Sequence, residues 1–220
     1  MKKVFILSIL MCFAIVAQAQ FSQFHAGLVL PTGKFGEGDP KKHGFGEGRG
    51  FAATGFTIGY KNYFPMSTEN LSGVFGVSLF FNGLNSDIKD LYDDYDGDVT
   101  LPKYLNFPVT FGLNYAFPLQ ESIKIYGEVA IGGNLSMPTK WKESDDDWDY
   151  EIKHTPAFGF AWALEGGAFI NDKFSIGIRI NNLGSYKYKI EWSDGDEKEK
   201  DKYSKALPIT GISLCLGILF

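Results

Sequence analysis

Apolar residues recur at every second position in eight separate stretches of the chain, and the last stretch shows this most clearly. Between residues 207 and 220 the bulky apolar residues alternate with small ones: Ile212, Leu214, Leu216, Ile218 and Phe220. Leu219 is the exception among the residues between them. A period of two over this length predicts a β-strand with one bulky apolar face and one face of small side chains.

Seven earlier stretches repeat this alternation and are joined by connections of two kinds. The stretches cover residues 23–30, 53–61, 71–82, 105–117, 123–132, 158–165 and 174–188. The long connections are residues 34–50, 83–103, 137–154 and 191–205, and the short ones are 65–70, 118–122 and 171–173. Because long and short connections alternate strictly, the pattern predicts an all-β, eight-stranded antiparallel up-and-down transmembrane β-barrel, with short turns at one end and long loops at the other.

The small face decides whether such a barrel lies in water or in a membrane. Its residues are mainly Gly, Ala, Ser, Thr and Asn, and few are charged: Lys61, Lys124, Glu128, Glu165 and Arg179. A soluble barrel would carry many more charges on its polar face, and a soluble secreted barrel is therefore the less favoured alternative. A narrow lumen filled by side chains fits this face, while the bulky face suits lipid because a closed barrel satisfies its own backbone groups.

The short turn at residues 171–173 predicts a specific ion pair in the lumen. It sets Ile170 opposite Phe174, and the same register sets Glu165 opposite Arg179. Unpaired charges inside a barrel are costly, so we expect these two to form a salt bridge. Glu128 and Lys124 are expected nearby, which gives a predicted interior charge cluster of Glu165, Arg179, Glu128 and Lys124. A structural plug is favoured over a gated polar pathway.

The first residues predict export. Two lysines are followed by an apolar run from Val4 to Val16 and by Ala17-Gln18-Ala19, the arrangement of a secretory signal peptide. We therefore expect a signal peptide over residues 1–19 and a barrel domain over 20–220. Cleavage removes two of the 21 basic residues and leaves 19 against 26 acidic ones. A chain this acidic offers no basic stripe for nucleic acid.

Acidic and aromatic residues are distributed as a membrane barrel requires. Of the 26 Asp and Glu residues, 21 lie in the four long connections, which predicts four acidic surface loops. Aromatic residues gather near the strand ends: Tyr60, Tyr63, Phe64, Tyr115 and Phe117 on the side of the short turns, and Tyr104, Tyr186 and Tyr188 on the other. Such clusters are typical of the aromatic girdles at membrane interfaces.

Catalytic, cofactor and metal sites are not predicted. His154 has acids within reach near the long-loop rim, but no Ser stands out as its partner, and a solvated histidine is the favoured interpretation. The acidic run at residues 93–98 resembles a calcium loop superficially, yet Gly97 is misplaced and no Glu follows at the twelfth position. Weak divalent-cation binding by the acidic runs at 93–98 and 145–149 stays an alternative to solvated loops.

Taken together, these features resemble the small Gram-negative outer-membrane β-barrel ("porin family", OmpA-like or OmpX-like) proteins. The strands at residues 106–115 and 126–133 and the final Phe220 carry the likeness, together with the signal sequence and the eight alternating strands. The resemblance implies outer-membrane localisation, and it implies that Phe220 serves as a signal for the outer-membrane assembly machinery. The porin name implies a channel, which eight strands disfavour. The chain stops at Phe220, so no peptidoglycan-binding domain is expected after the barrel.

The expected function is therefore structural or interactive rather than catalytic. We expect a monomeric outer-membrane barrel with a filled lumen, in contact with the lipid bilayer and lipopolysaccharide, serving envelope integrity or surface interaction. A small-solute channel is the first alternative, and a surface lipid-modifying enzyme acting through His154 is the second. The sequence names no surface ligand, because recognition would lie in loops that carry no readable motif.

Overall fold

A computed structural model gives the fold of residues 21–36, 38, 49–92, 98–144, 148–194, 197–199 and 205–220. The predicted signal peptide, residues 1–19, lies outside this range. Within it the helices are short: α1 covers Gly33–Gly36 and α2 covers Ser86–Asp90. None of the helices in the described ranges has the length and apolar character needed to span a membrane.

The described chain contains twelve β-strands in one continuous antiparallel sheet. In chain order they are β1 Phe21–Pro31, β2 Gly55–Pro65, β3 Leu71–Asn82, β4 Asp98–Thr100, β5 Tyr104–Gln120, β6 Ile123–Ser136, β7 Trp141–Ser144, β8 Trp148–Thr155, β9 Ala157–Ile170, β10 Phe174–Asp194, β11 Glu197–Glu199 and β12 Lys205–Leu219.

Eight of these strands close into a barrel. The order β1-β2-β3-β5-β6-β9-β10-β12 follows the chain, and β12 pairs with both β10 and β1. The first and last strands meet in a long antiparallel register in which Leu28 lies opposite Leu214. Closure leaves no open edge in the barrel wall. The predicted eight-stranded antiparallel barrel is confirmed.

The four remaining strands extend the sheet beyond the rim, where the sequence pattern predicted only loops. β10 has 21 residues and pairs with β9 from Phe174 to Asn182, and then with β8 from Lys187 onward. Gly184 allows this change of partner, because its φ of +81° at the irregularity between Asn182 and Ser185 favours glycine. β8 in turn pairs with β7, and β7 with β4. The loops are therefore partly an extension of the barrel sheet.

The barrel wall has its apolar side outside. Large apolar side chains cover the outer surface, as illustrated by Leu28, Phe111, Ile131, Ile178 and Leu216, all exposed. The buried side chains of the lumen include many polar ones: Gln23, His25, Thr57, Lys61, Asn82, Asn106, Asn114, Glu128, Asn134, Ser136, Glu165, Ser175, Arg179, Asn181 and Ser213. Such an arrangement is stable in hydrocarbon, and the predicted assignment of the bulky face to lipid fits it.

The short turns fix the register of the hairpins. Asn171 and Asp172 have φ values of +54° and +50°, a conformation that Asn and Asp tolerate better than other side chains. As predicted, Ile170 lies opposite Phe174 and Glu165 lies opposite Arg179. In the outer-membrane barrels that the sequence resembles, short turns lie in the periplasm and long loops outside the cell. We therefore call the end with the short turns the periplasmic end and the end with the long connections the outer end.

Candidate functional site

Four charged side chains meet in the middle of the lumen. Lys61 Nζ lies 2.8 Å from Glu128 Oε1 and 2.8 Å from Glu165 Oε2, and Arg179 Nε donates to Glu165 Oε2 at 2.6 Å. Arg179 Nη2 lies 3.7 Å from Glu128 Oε1. All four side chains are more than nine-tenths buried. Because two cations face two carboxylates, the set, which we call the charge cluster, is neutral as a whole.

A network of neutral side chains lies on the periplasmic side of the charge cluster and contacts it through the hydroxyls of Tyr126 and Tyr63. Tyr126 donates its hydroxyl to Glu165 Oε1 at 2.7 Å, and Tyr63 donates to Gln23 Oε1 at 2.6 Å. Gln23 donates in turn to Ser175 Oγ at 2.6 Å. A buried carboxylate that accepts from two cations and a phenol has lost few of the hydrogen bonds that water would supply. These hydrogen bonds therefore hold the side chains of the network in one arrangement.

The structure differs from the predicted interior charge cluster in two residues: Lys124 lies outside it, and Lys61 belongs to it. Lys124 Nζ pairs with Asp172 Oδ1 at 2.7 Å, and both side chains are substantially exposed. It shares the inward face with Glu128, but four residues along β6 amount to about 13 Å, which carries it to the periplasmic mouth. Lys61 takes its place. The sequence marked Lys61 as an inward charge, but β2 approaches β9 only across the lumen, which hairpin registers do not reveal.

Four aromatic rings separate the charge cluster from the periplasmic end. Phe21 stacks on Tyr63 and Tyr126 stacks on Phe169, each pair with ring centroids 4.3 Å apart. Phe169 also meets Phe21 and Tyr63 edge-on, at 5.9 and 6.0 Å. We call these four rings the aromatic floor. Tyr63 was predicted in an interfacial girdle, and this was wrong, because every second residue from Lys61 faces the lumen.

The outer end is closed by an apolar cluster, which we call the apolar cap. It joins inward-facing strand residues to residues from the long connections: Val29, Phe35, Phe51, Ala52, Phe80, Leu84, Ile88, Tyr104, Trp141, Ile152, Ala161, Leu183, Tyr186, Leu207 and Ile209. Phe35 comes from α1 and Ile88 from α2, and both are almost fully buried. Tyr104 packs edge-on against Phe35 at 5.1 Å and donates its hydroxyl to the Gly50 carbonyl at 2.5 Å.

Two tyrosines of the apolar cap also correct the predicted outer girdle. Tyr104 and Tyr186 point into the barrel, with ring centroids 6.0 Å apart. Tyr104 lies two residues before the inward-facing Asn106, so its side chain points to the same face of β5. Tyr186 reaches the lumen because the irregularity at Gly184 shifts the alternation of β10 by one residue. By contrast, Tyr115 and Phe117 face outward near the periplasmic rim, where a girdle residue belongs.

A layer of asparagine and serine lies beneath the apolar cap. The two hydrogens of Asn134 Nδ2 are shared among three acceptors: Asn106 Oδ1 at 3.1 Å, Ser136 Oγ at 2.9 Å and the Leu183 carbonyl at 2.8 Å. Ser136 Oγ donates to Asn106 Oδ1 at 2.7 Å. From the outer end inward, the lumen thus holds an apolar cap, a neutral polar layer, the charge cluster and the aromatic floor.

Phe220 closes the seam between the first and last strands. Its backbone exchanges two hydrogen bonds with Ser22: Ser22 N donates to the Phe220 carbonyl at 2.7 Å, and Phe220 N donates to the Ser22 carbonyl at 2.9 Å. Its ring is exposed on the outer wall, with its centroid 6.3 Å from that of Tyr60. The side chain is therefore available at the periplasmic edge of the wall.

The other candidate residues contribute no site in the described chain. His154 lies near the end of β8, opposite Tyr188, and its side chain falls outside the described set. The acidic runs considered for calcium fall largely on residues 93–97 and 145–147, which are also outside it. Among the described residues, no group of three or more His, Cys, Asp or Glu side chains is arranged to hold a metal ion.

A closed eight-stranded barrel with an apolar outer wall defines a small outer-membrane protein. The sequence profile of the outer membrane protein β-barrel domain matches residues 5–205, and the chain belongs to this family. The protein is therefore an outer-membrane protein, and its barrel lies in the lipid bilayer. No curated protein matches it in sequence.

Solved structures with the same fold are distant in sequence. Neisserial surface protein A is 12% identical with a TM-score of 0.51, and the match covers 90% of this chain and 94% of that one. The outer membrane protein OprG from Pseudomonas aeruginosa is 13% identical with a TM-score of 0.50, and the match covers 92% of this chain and 97% of that one. At such identities the likeness is one of fold.

Proposed function

We propose that the protein is a sealed barrel that serves envelope integrity or surface interaction rather than passage through its lumen. One observation supports the proposal: the inward side chains form two chemically different buried layers, the apolar cap and the charge cluster, one above the other. An eight-stranded barrel is only just wide enough to be filled by side chains. The surfaces left for interaction are then the outside of the wall, which lies in lipid, and the extension of the sheet at the outer end.

Deletion and complementation test this proposal. A strain lacking the protein is expected to become more sensitive to detergents or to lose a surface-binding phenotype, and the wild-type gene should restore it. A matched gene in which residues 141–155 are replaced by a short Gly-Ser linker separates the two roles. Restored detergent resistance without surface binding assigns the outer extension to interaction. If uptake of a small solute is the only phenotype, the proposal is wrong.

A gated small-solute channel is the second candidate, because charged side chains do line the middle of the lumen. Rearrangement of Lys61 and Arg179 between Glu128 and Glu165 would be the gate. This candidate requires the apolar cap to move as well, since its residues from the long connections lie directly above. Stepwise conductance of the wild-type protein in a planar bilayer would favour it.

We further propose that the barrel is a monomer and that Phe220 is read by the assembly machinery. An exposed terminal ring beside the closing seam supports this role. Deletion of Phe220 should lower outer-membrane levels severalfold in cells, measured by fractionation and by the gel shift of folded barrels on boiling. Phe117→Ala is the control, because it removes another exposed aromatic ring from the same rim. Equal losses in the two variants would contradict a specific role for Phe220.

A further inference from the structure

The periplasmic end of the lumen is open below the aromatic floor. A cavity of about 530 Å³ lies there, bounded by the turn between β2 and β3, by the lower parts of β5 and β6 and by the start of β1. We call it the vestibule. Its volume falls within the roughly 300–1,000 Å³ range of small-molecule sites. At the outer end, the apolar cap occupies the lumen instead.

One side chain in the vestibule wall has an unmet hydrogen-bonding need. Asn114 is only 1% exposed and lines the vestibule, and its Nδ2 has no hydrogen-bond partner within the described part of the protein. A buried amide donor without a partner has lost the hydrogen bond that water would supply. Asn134 and Asn181, which are also buried and inward, both donate to neighbouring side chains, and the unpartnered atom of Asn134 is its acceptor Oδ1. Asn114 therefore offers a donor to an acceptor that enters from the periplasm.

The rest of the vestibule wall defines the chemistry of a ligand. Phe21 and Phe169 supply an apolar aromatic side, and Ser72 is a further polar residue of the lining. Lys124 is already paired with Asp172, so it does not add a free positive charge. Glu69 is the other charged residue in the lining and gives the vestibule a net charge of −1. The negative charge would repel an anion, and a purely apolar molecule would leave the Asn114 amide unpaired.

From this geometry we infer that the vestibule is a binding site for a neutral, hydroxyl-rich small molecule of the periplasm, of the class and size of a mono- or disaccharide. A sugar presents an apolar C–H face to Phe21 and Phe169 and hydroxyl oxygens to Asn114. Asn114 lies opposite Glu128 in the register of β5 and β6, so the inner side of the site adjoins the charge cluster. Its occupant needs no path through the barrel.

A titration of the complete barrel in phosphatidylcholine nanodiscs tests the site, since detergents with sugar headgroups would compete. Glucose and glucuronate are the probes, because they differ by a single carboxylate. The readout is the chemical shift of the Asn114 side-chain amide. We expect a saturable shift with glucose in the millimolar range, and binding of glucuronate at least about tenfold weaker. Absence of saturable binding, or equal affinity for the two sugars, would overturn the proposal.

Two variants and a control place the ligand within the vestibule. Asn114→Leu removes the donor and should weaken glucose binding about three- to tenfold, the effect of one hydrogen bond. Ala116→Phe puts a bulky ring into the vestibule while keeping Asn114 and should abolish binding. Asn181→Leu changes a buried asparagine above the aromatic floor and should leave it unchanged. Asn114→Leu lacks the amide whose chemical shift reports binding. Glucose binding to all three variants is therefore measured by calorimetry. Unchanged affinity in both test variants would overturn the assignment.

Discussion

The two closures of the lumen differ in what holds them together. The apolar cap is a packed cluster whose stability is a sum of many small contacts, so each residue contributes a limited share. The charge cluster depends on four groups that neutralise one another, so removing any one leaves a buried charge without its partner. The two layers should therefore respond differently to substitution. Each change in the apolar cap should cost a small part of the stability, whereas one change in the charge cluster should cost most of its contribution.

Glu165→Ala is expected to have the largest effect of the variants that test this difference. Glu165 accepts from Lys61, Arg179 and Tyr126, and its loss leaves two buried cations facing Glu128 alone. We expect a loss of about 3–5 kcal/mol in the free energy of unfolding, measured by urea titration in lipid vesicles. Glu121→Ala, in an exposed turn, is the control and should change little. A loss below about 1 kcal/mol for Glu165→Ala would contradict the mutual dependence of the cluster.

Ile209→Val tests the apolar cap with a change of one methylene group. Ile209 is almost fully buried among the cap residues, so the variant should lose about 0.5–1.5 kcal/mol of unfolding free energy in the same titration. Ile178→Val provides the comparison on the lipid-facing wall, where lipid chains adapt to the missing group and the loss should be smaller. Equal losses would mean that the cap is not packed as a protein core.

Lys124→Met should have the smallest effect, although Lys124 also forms a salt bridge. Its pair with Asp172 is exposed at the periplasmic mouth, where water and salt screen it. We expect a loss of about 0–1 kcal/mol that disappears at high salt concentration. The Glu165→Ala loss should persist at the same salt concentration. A large, salt-independent loss for Lys124→Met would place Lys124 in the interior cluster after all.

The architecture of the wall could be predicted because local rules determine it. A period of two assigns each residue to a face, and the turn at residues 171–173 sets the register that brings Glu165 to Arg179. Even Tyr63 could have been assigned to the lumen by counting two residues from Lys61. Tyr186 could not, because the glycine irregularity in β10 shifts the alternation and leaves no clear mark on the apolar pattern.

Contacts between side chains on opposite sides of the lumen could not be predicted from the sequence. Lys61 meets Glu165 from the opposite side of the barrel, and which inward residues meet there depends on the tilt and stagger of all eight strands. The apolar cap was hidden for a related reason. Phe35, Leu84 and Trp141 come from separate connections without periodicity, and only barrel closure brings them together. The loop strands β7 and β8 likewise form because β10 continues past the rim and offers them an edge.

Ion conductance of the folded wild-type protein tests the sealed lumen most directly. Single barrels in a planar bilayer, with folding verified by the gel shift on boiling, are expected to show no stepwise current at about 100 mV in 1 M KCl. Glu165→Ala should also stay silent, because the apolar cap closes the outer end without the charge cluster. Reproducible channel openings in the wild-type protein would contradict the account of a lumen closed by two independent layers.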